Sequence, residues 1–454
     1  VRTACSSANG HVVAEPSNEL EGDGRVSRLE AESSAVVISH RVGLSTALPF
    51  VEALHNHGRH VRVYCLGDFA EQVRSLLPDH VEVVERSQIS TPRRAGALRT
   101  ATFALSNFDP GANPGQRQDF AHRSATGARL RSGILAVTRR LSPSRLNAVA
   151  GSIGGIGTRA LPERDLWIVS FLTEPSLALR SGQRVITLID SWDHPVRRTA
   201  GYPTDTVVGW NMDLALDWKD IQGARSAIAG APLKLRYAAD SYPLAPCTDK
   251  RLMFAVGTSS HTPGWQDAEL RLAELVCRAA EKAGWEVLLK LKPTGGQQDW
   301  FEFARRWPNV EMTHERDAPT PMDYFLDDEY NETRLGELRR VRAVVNTVTT
   351  FGLDASCAGV PVLQLAGLRG AGLSGLASAQ ENFHIQKYLL RDRSNVLVVD
   401  EDDGESTLAA WLMDPDDRAH RYAENLRSWL VPESGFDDAI DRAVGRVLHG
   451  GSET

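Results

Sequence analysis

At 454 residues the chain is long enough for two domains with buried cores. Its 42% hydrophobic and 24% charged residues place it among ordinary globular chains, and a net charge of −7 argues against wholesale nucleic-acid binding. The five cysteines are scattered without paired spacing, as in a reduced cytoplasmic protein; no apolar run reaches the ~20 residues of a membrane span, and no basic-then-apolar leader pattern opens the sequence.

Residues 1–34 are polar and acidic with little periodicity and read as a disordered tail. The apolar run 35–38 then marks a buried strand, and the loop Ser39-His40-Arg41-Val42-Gly43-Leu44-Ser45 follows it. Residues 46–56 put Leu48, Val51 and Leu54 on one helical face, closed by Gly58, and 60–66 alternate Val61, Val63 and Cys65 as the next strand. Strand, helix, strand opens an α/β domain, and 81–84 predicts a further strand.

From 91 to 164 the character changes, with many arginines facing only Asp109, Asp119 and Glu163. Residues 128–146 predict a helix that mixes Leu130, Ile134, Val137 and Leu141 with Arg129, Arg131, Arg139 and Arg140. Such a helix suits an anionic membrane surface or, more commonly, an ordinary solvated face over a sheet. The run G-S-I-G-G-I-G at 151–157 follows a helix and not a strand, so it is a poor dinucleotide fingerprint. Strands are predicted at 166–171, 184–189 and 206–210, with a short helix at 175–180. Asp190-Ser191-Trp192-Asp193 ends the second of these strands, and the carboxyl ends of an open parallel sheet face a ligand crevice. A helix at 214–221 and the run 227–232 complete this half; 236–250, with Pro243 and Pro246, reads as a linker.

The second half repeats the plan. A strand at 252–256 and a loop at 257–264 precede a helix at 267–283, which Gly284 ends. The strand 286–291 runs into Lys290-Leu291-Lys292-Pro293, two lysines on one face at strand spacing, either to neutralise a diphosphate or as a solvent-facing edge. After a strand at 310–313, Asp327-Asp328-Glu329 reads as a solvated charge run, and no carboxylate pair suggests a divalent ion. The organising stretch is 341–365: a strand at 341–345, a polar turn at 346–350, a helix at 351–358 stopped by Gly359, and a strand at 360–365. Thr347, Thr349 and Thr350 stand at the positive end of that helix, where free N–H groups and hydroxyls suit a phosphate, unless Thr349 or Thr350 only caps it. Asp354, about one turn further on, is placed to accept from a sugar diol or simply to face solvent. A strand at 395–399 and helical residues 416–448, divided at Pro432, end the chain.

Several short motifs, taken in order, resemble the GT-B glycosyltransferases. Val37-Ile38-Ser39-His40 with Gly58-Arg59-His60-Val61-Arg62-Val63 is similar to their opening strand, loop and second strand. Ser191-Trp192-Asp193 and Val208-Gly209-Trp210-Asn211 resemble a paired motif of bacterial surface-polysaccharide transferases. Leu289-Lys290-Leu291-Lys292-Pro293 is similar to a strand of those proteins and of the CDP-glycerol glycerophosphotransferases. Thr349-Thr350-Phe351-Gly352-Leu353-Asp354-Ala355 with Gly359-Val360-Pro361-Val362 resembles their donor signature, and Phe383-His384-Ile385-Gln386-Lys387-Tyr388-Leu389 resembles a motif near their C-terminal end.

The resemblance implies an α/β fold of the GT-B type, two doubly wound Rossmann-like domains facing each other across a cleft. On it, 35–240 form an acceptor domain, 250–415 a nucleotide-donor domain, and 416–454 are helices packing back toward the first. It implies metal-independent, inverting transfer of a sugar from a nucleotide-sugar, UDP-linked, to a hydroxyl of a glycan, lipid-linked or small-molecule acceptor, in surface-polysaccharide or glycoconjugate synthesis. The nucleotide-sugar is then a co-substrate, with no separate cofactor. Thr349, Thr350, Phe351 and the helix N–H groups would hold the diphosphate, Lys290 and Lys292 add charge, Asp354 hold the ribose, and His384 stand beside the donor. Attack needs a general base, for which His40 is the first candidate and Asp193 the second. A cytoplasmic location is expected, with peripheral contact at the inner membrane face through 91–164. The alternatives are a CDP-glycerol-type transferase, a non-hydrolysing UDP-sugar 2-epimerase and a non-catalytic partner subunit.

Overall fold

The computed structural model describes residues 33–38, 43–65, 68–85, 166–170, 184–189, 204–222, 224–245, 247–257, 264–291, 297–313, 326–382 and 386–450. The first sheet is built from β1 (Ser33–Ile38), β2 (His60–Cys65), β3 (Glu82–Glu85), β4 (Leu166–Ser170), β5 (Arg184–Leu188), β6 (Thr206–Gly209) and β7 (Ser226–Ala229). Helices α1 (Leu44–Asn56), α2 (Ala70–Leu76) and α3 (Met212–Gln222) connect some of them. Strand β1 begins at Ser33, two residues ahead of the apolar run, because its backbone pairs with β2 from that point and Ser34 accepts from the Arg59 side chain at 3.1 Å.

The chain then crosses through α4 (Arg236–Asp240), inside what the sequence reads as a plain linker. The second sheet holds β8 (Arg251–Ala255), β9 (Glu286–Lys290), β10 (Val310–Met312), β11 (Ala343–Asn346), β12 (Val362–Arg369) and β13 (Leu397–Asp400). Its helices are α5 (Trp265–Ala283), α6 (Gln297–Ala304), α7 (Asp328–Arg339), α8 (Phe351–Ala358), α9 (Ser374–Asn382), α10 (Gln386–Leu389) and α11 (Gly404–Met413). Two helices, α12 (Arg418–Leu430) and α13 (Phe436–His449), end the chain.

Among the described residues every strand pairing is parallel. The orders are β3-β2-β1-β4-β5-β6-β7 and β10-β9-β8-β11-β12-β13. Each sheet therefore starts in its middle, winds outward, and returns to wind the other way. This is the doubly wound plan the GT-B resemblance implies, with switch points between β1 and β4 and between β8 and β11. Parallel strands are covered on both faces, so they read as unbroken apolar runs. In β8, Leu252 and Phe254 face a core with α5, α9 and α11, while Met253 and Ala255 face a core continuous with the first sheet. The last two helices divide between the halves. Helix α12 packs on α8 and β12, and α13 packs on α1 and β7.

The expected helix at 128–146, the glycine run 151–157, the arginine-rich region and the helix at 175–180 lie outside the described residues. No helix among the described residues is long and apolar enough to cross a membrane.

Candidate nucleotide-binding site

The turn 346–350 leaves the carboxyl end of β11, beside the switch point of the second sheet, and runs directly into α8. Asn346 is fully buried and its amide organises the turn. Its Nδ2 donates to Gln364 Oε1 at 2.8 Å, and its Oδ1 accepts from the Thr349 hydroxyl at 2.7 Å. Gln364 on β12 donates in turn to the Thr347 carbonyl at 2.7 Å. There is no room for a side chain at position 352, where a Cβ would stand 2.7 Å from the Asn346 amide. Gly359 ends α8 in the left-handed conformation, φ 82°, which a residue without a Cβ adopts freely.

This geometry separates the three threonines. The Thr349 hydroxyl, one residue ahead of the N-cap, braces the turn from inside and accepts from the Phe351 N–H at 3.3 Å. Thr347 is fully buried. Thr350, exposed at the N-cap and making no side-chain bond to the helix, is the hydroxyl that faces outward. Helix α8 thus presents its positive end and N–H groups at the strand ends.

Lys290 closes β9 and is buried, not part of a solvent-facing edge. Its Nζ lies 2.9 Å from Glu337 of α7 and 5.8 Å from the centre of the Phe351 ring. Lys290, paired with Glu337, therefore lies near the first residue of α8, the helix whose N-cap is the exposed Thr350.

Asp354 is neither exposed to solvent nor open to a ribose. It is 2% exposed, its Oδ2 lies 2.8 Å from Arg334, and its Oδ1 accepts from the Tyr237 hydroxyl at 2.7 Å. Burial pushes its carboxyl above the usual range, against the pull of the Arg334 charge and the Tyr237 hydroxyl. Burial likewise raises Tyr237, which keeps its proton and donates it. The reason Asp354 turns inward is α7, whose buried face carries Arg334 and Glu337. The Arg334 guanidinium sits over the rings of Tyr237, Tyr330 and Phe351 at 5.1, 5.6 and 5.4 Å.

The sequence singled out neither Arg334, Glu337 nor Tyr237. Asp327-Asp328-Glu329 is exposed as expected, yet it begins α7, with Asp327 accepting from the Tyr330 N–H at 3.1 Å. Asn346, at the end of one apolar run, and Gln364, between Leu363 and Leu365 inside another, had a visible signal. Lys290, Thr349, Thr350, Phe351 and Asp354 are brought together; His40, Asp193, Lys292 and His384 lie outside the described residues. Among the described residues no group of three or more His, Cys, Asp or Glu is arranged to hold a metal ion.

A buried carboxylate stands behind the other side of the switch point. Glu269 of α5 is fully buried, accepts from the Gly257 N–H just past β8, and is pushed up to about 7 by burial. A separate cleft of about 740 Å³ opens between the halves, where Asn211 and Asp213 at the start of α3 face Asn425, Ser428 and Trp429 of α12. Asp213 is bonded across it by Trp429 Nε1 at 2.8 Å and by Arg391 at 3.3 Å.

No protein-family model and no curated protein sequence matches the chain. Among solved structures it is similar to spinosyn forosaminyltransferase SpnP (15% identity, 92% of this chain and 99% of that one, TM-score 0.42). It is similar to UGT89C1 of Arabidopsis thaliana in complex with quercetin (13%, 91% and 99%, TM-score 0.46). A Listeria monocytogenes protein assigned as a UDP-N-acetylglucosamine 2-epimerase is a further likeness (11%, 92% and 96%, TM-score 0.48). Identities this low and TM-scores below 0.5 carry nothing about reaction or substrate; the two-sheet architecture rests on the strand order itself.

Proposed function

We propose that the chain is a glycosyltransferase that moves a sugar from a nucleotide-sugar donor to an acceptor hydroxyl. One observation carries this reading: the N-terminus of α8, with Thr350 outward and Lys290 near its first residue, stands at the switch point of the second sheet. That is where an open parallel sheet receives a ligand, and the positive end of a helix with an outward hydroxyl suits a diphosphate, with Lys290, paired with Glu337, close behind it. As the bond to the sugar breaks, negative charge grows on the departing diphosphate, and these fixed donors stabilise it without reorganising. The acceptor is assigned to the first sheet, with His40, two residues past β1 in sequence, as the base that takes the hydroxyl proton.

The test is a thermal-shift series with UDP, GDP, CDP and dTDP, followed by incubation with the matching nucleotide-sugar and trial acceptors. One nucleotide should raise the melting temperature, since a ligand that binds only the folded chain stabilises it. Thr350→Ala should weaken that nucleotide by roughly 2- to 10-fold, the worth of one neutral hydrogen bond. With an acceptor present, His40→Ala should slow nucleotide release by about 10²–10⁴. No shift with any nucleotide would overturn the assignment.

A further inference from the structure

Between the two sheets the chain runs along the flank of α8 and is fastened to it at both ends. Near the start of the helix, the Tyr237 hydroxyl donates to Asp354 Oδ1 at 2.7 Å. At its far end, the Leu244 N–H donates to the Ala358 carbonyl at 3.0 Å, and the Tyr242 ring packs so closely on Gly359 that a Cβ there would lie 2.9 Å from ring carbons. The residue preceding Tyr237 makes the opposite attachment. Arg236 forms two bonds to Asp437 of α13, at 2.6 and 2.8 Å, and α13 packs on the first sheet. Neighbouring residues of one short helix thus hold opposite halves of the molecule.

From Tyr237 the contacts lead to the anion end of α8. Asp354 pairs with Arg334 at 2.8 Å, the Arg334 guanidinium covers the Phe351 ring, and Lys290 lies 5.8 Å from the same ring. Asp354, Arg334 and Lys290 are all buried, so a displacement of the crossover is carried to the first turn of α8 and not absorbed by solvent.

We propose that Tyr237 is a positioning residue for the anion end of α8, so that the relative placement of the two halves sets the placement of that end. The coupling is reciprocal: a ligand seated on α8 narrows the range of placements open to the two halves. The ligand arm of this inference rests on the proposed donor site, whereas the ligand-free arm does not.

Tyr237→Phe keeps the ring under Arg334 and deletes one hydroxyl, leaving Asp354 Oδ1 buried without its donor. Hydrogen exchange should then speed up roughly tenfold at the amides of Leu353, Asp354 and Ala355, since a lost buried bond is worth about one factor of ten. In the same ligand-free protein, the distance distribution between labels at the exposed positions Glu52 and Lys282, one in each half, should broaden. Arg236→Ala, on the same short helix but directed to α13, should broaden that distribution and, through the intact Tyr237 bond, speed exchange at the same α8 amides by less than Tyr237→Phe does. A merely structural role would lower the melting temperature without widening the distribution. Faster exchange with an unchanged distance distribution in Tyr237→Phe would overturn the coupling, as would unchanged exchange. Adding UDP should narrow the wild-type distribution and narrow that of Tyr237→Phe less. Failure of the wild type to bind any nucleoside diphosphate would sink the donor assignment alone, because the ligand-free comparison still decides the coupling.

Discussion

Two Arg–Asp pairs in this molecule share a chemistry and differ in surroundings. Arg334 and Asp354 lie 2.8 Å apart with side chains 8% and 3% exposed; Arg391 and Asp213 lie 3.3 Å apart with side chains 51% and 55% exposed. The first pair joins α7 to α8, and the second bridges the cleft between the halves. In the buried pair neither charge has water to fall back on, so each depends on the other and on the Tyr237 hydroxyl. In the exposed pair water and salt compete for both ends, and the Trp429 Nε1 bond to Asp213 contributes beside it. Burial, not geometry, therefore decides which pair determines local structure.

The largest effect is expected from breaking the buried pair. Asp354→Asn leaves the Arg334 charge without its counter-ion and should cost about 3–5 kcal/mol of unfolding free energy, read by denaturant titration. Arg334→Met combined with Asp354→Leu removes both charges and should recover most of that loss. A double variant as unstable as the single one would mean that packing, not charge, governs the site.

Glu269 sharpens the comparison as a buried carboxylate held by an N–H group. Its folded value of about 7 stands above its ordinary 4.5, so the folded chain keeps a proton that the unfolded chain releases between those values. Its contribution to stability therefore falls as pH rises from about 4.5 to about 7, by about 3 kcal/mol in total. Glu269→Gln should remove that part of the slope, seen as the difference between wild-type and variant denaturation midpoints across pH 5–8. Parallel curves would contradict the assignment.

The smallest effect belongs to the exposed pair. Asp213→Asn keeps an acceptor for Trp429 and removes only the charge, so unfolding free energy should change by less than about 1 kcal/mol. Whatever remains should vanish in about 1 M salt, where the screening length is ~3 Å. A larger, salt-resistant loss would place this pair in the same class as the buried one.

The strands were legible because parallel sheets cover both faces, which leaves runs such as Val36-Val37-Ile38 and Leu252-Met253-Phe254 unbroken by polar residues. The βαβ unit around α8 was legible because a polar turn and a stopping glycine punctuate two apolar runs. Helix α7 was not legible, since Asp328–Arg339 has an acidic start and a buried face that is itself charged, which cancels the amphipathic signal. The inward turn of Asp354 was hidden for the same reason. Its hydroxyl partner stands 117 positions away in a segment that reads as a linker.

By itself, then, the sequence determined the alternation of strands and helices, the division into two halves, and the placement of a hydroxyl-rich turn at a helix start. These follow from periodicity and punctuation, which are local. Only the tertiary structure decided which charged groups are buried: Lys290 opposite Glu337, and Asp354 between Arg334 and Tyr237. The partner of a buried charge is whatever the fold brings within about 3 Å, and separation along the chain carries no trace of it.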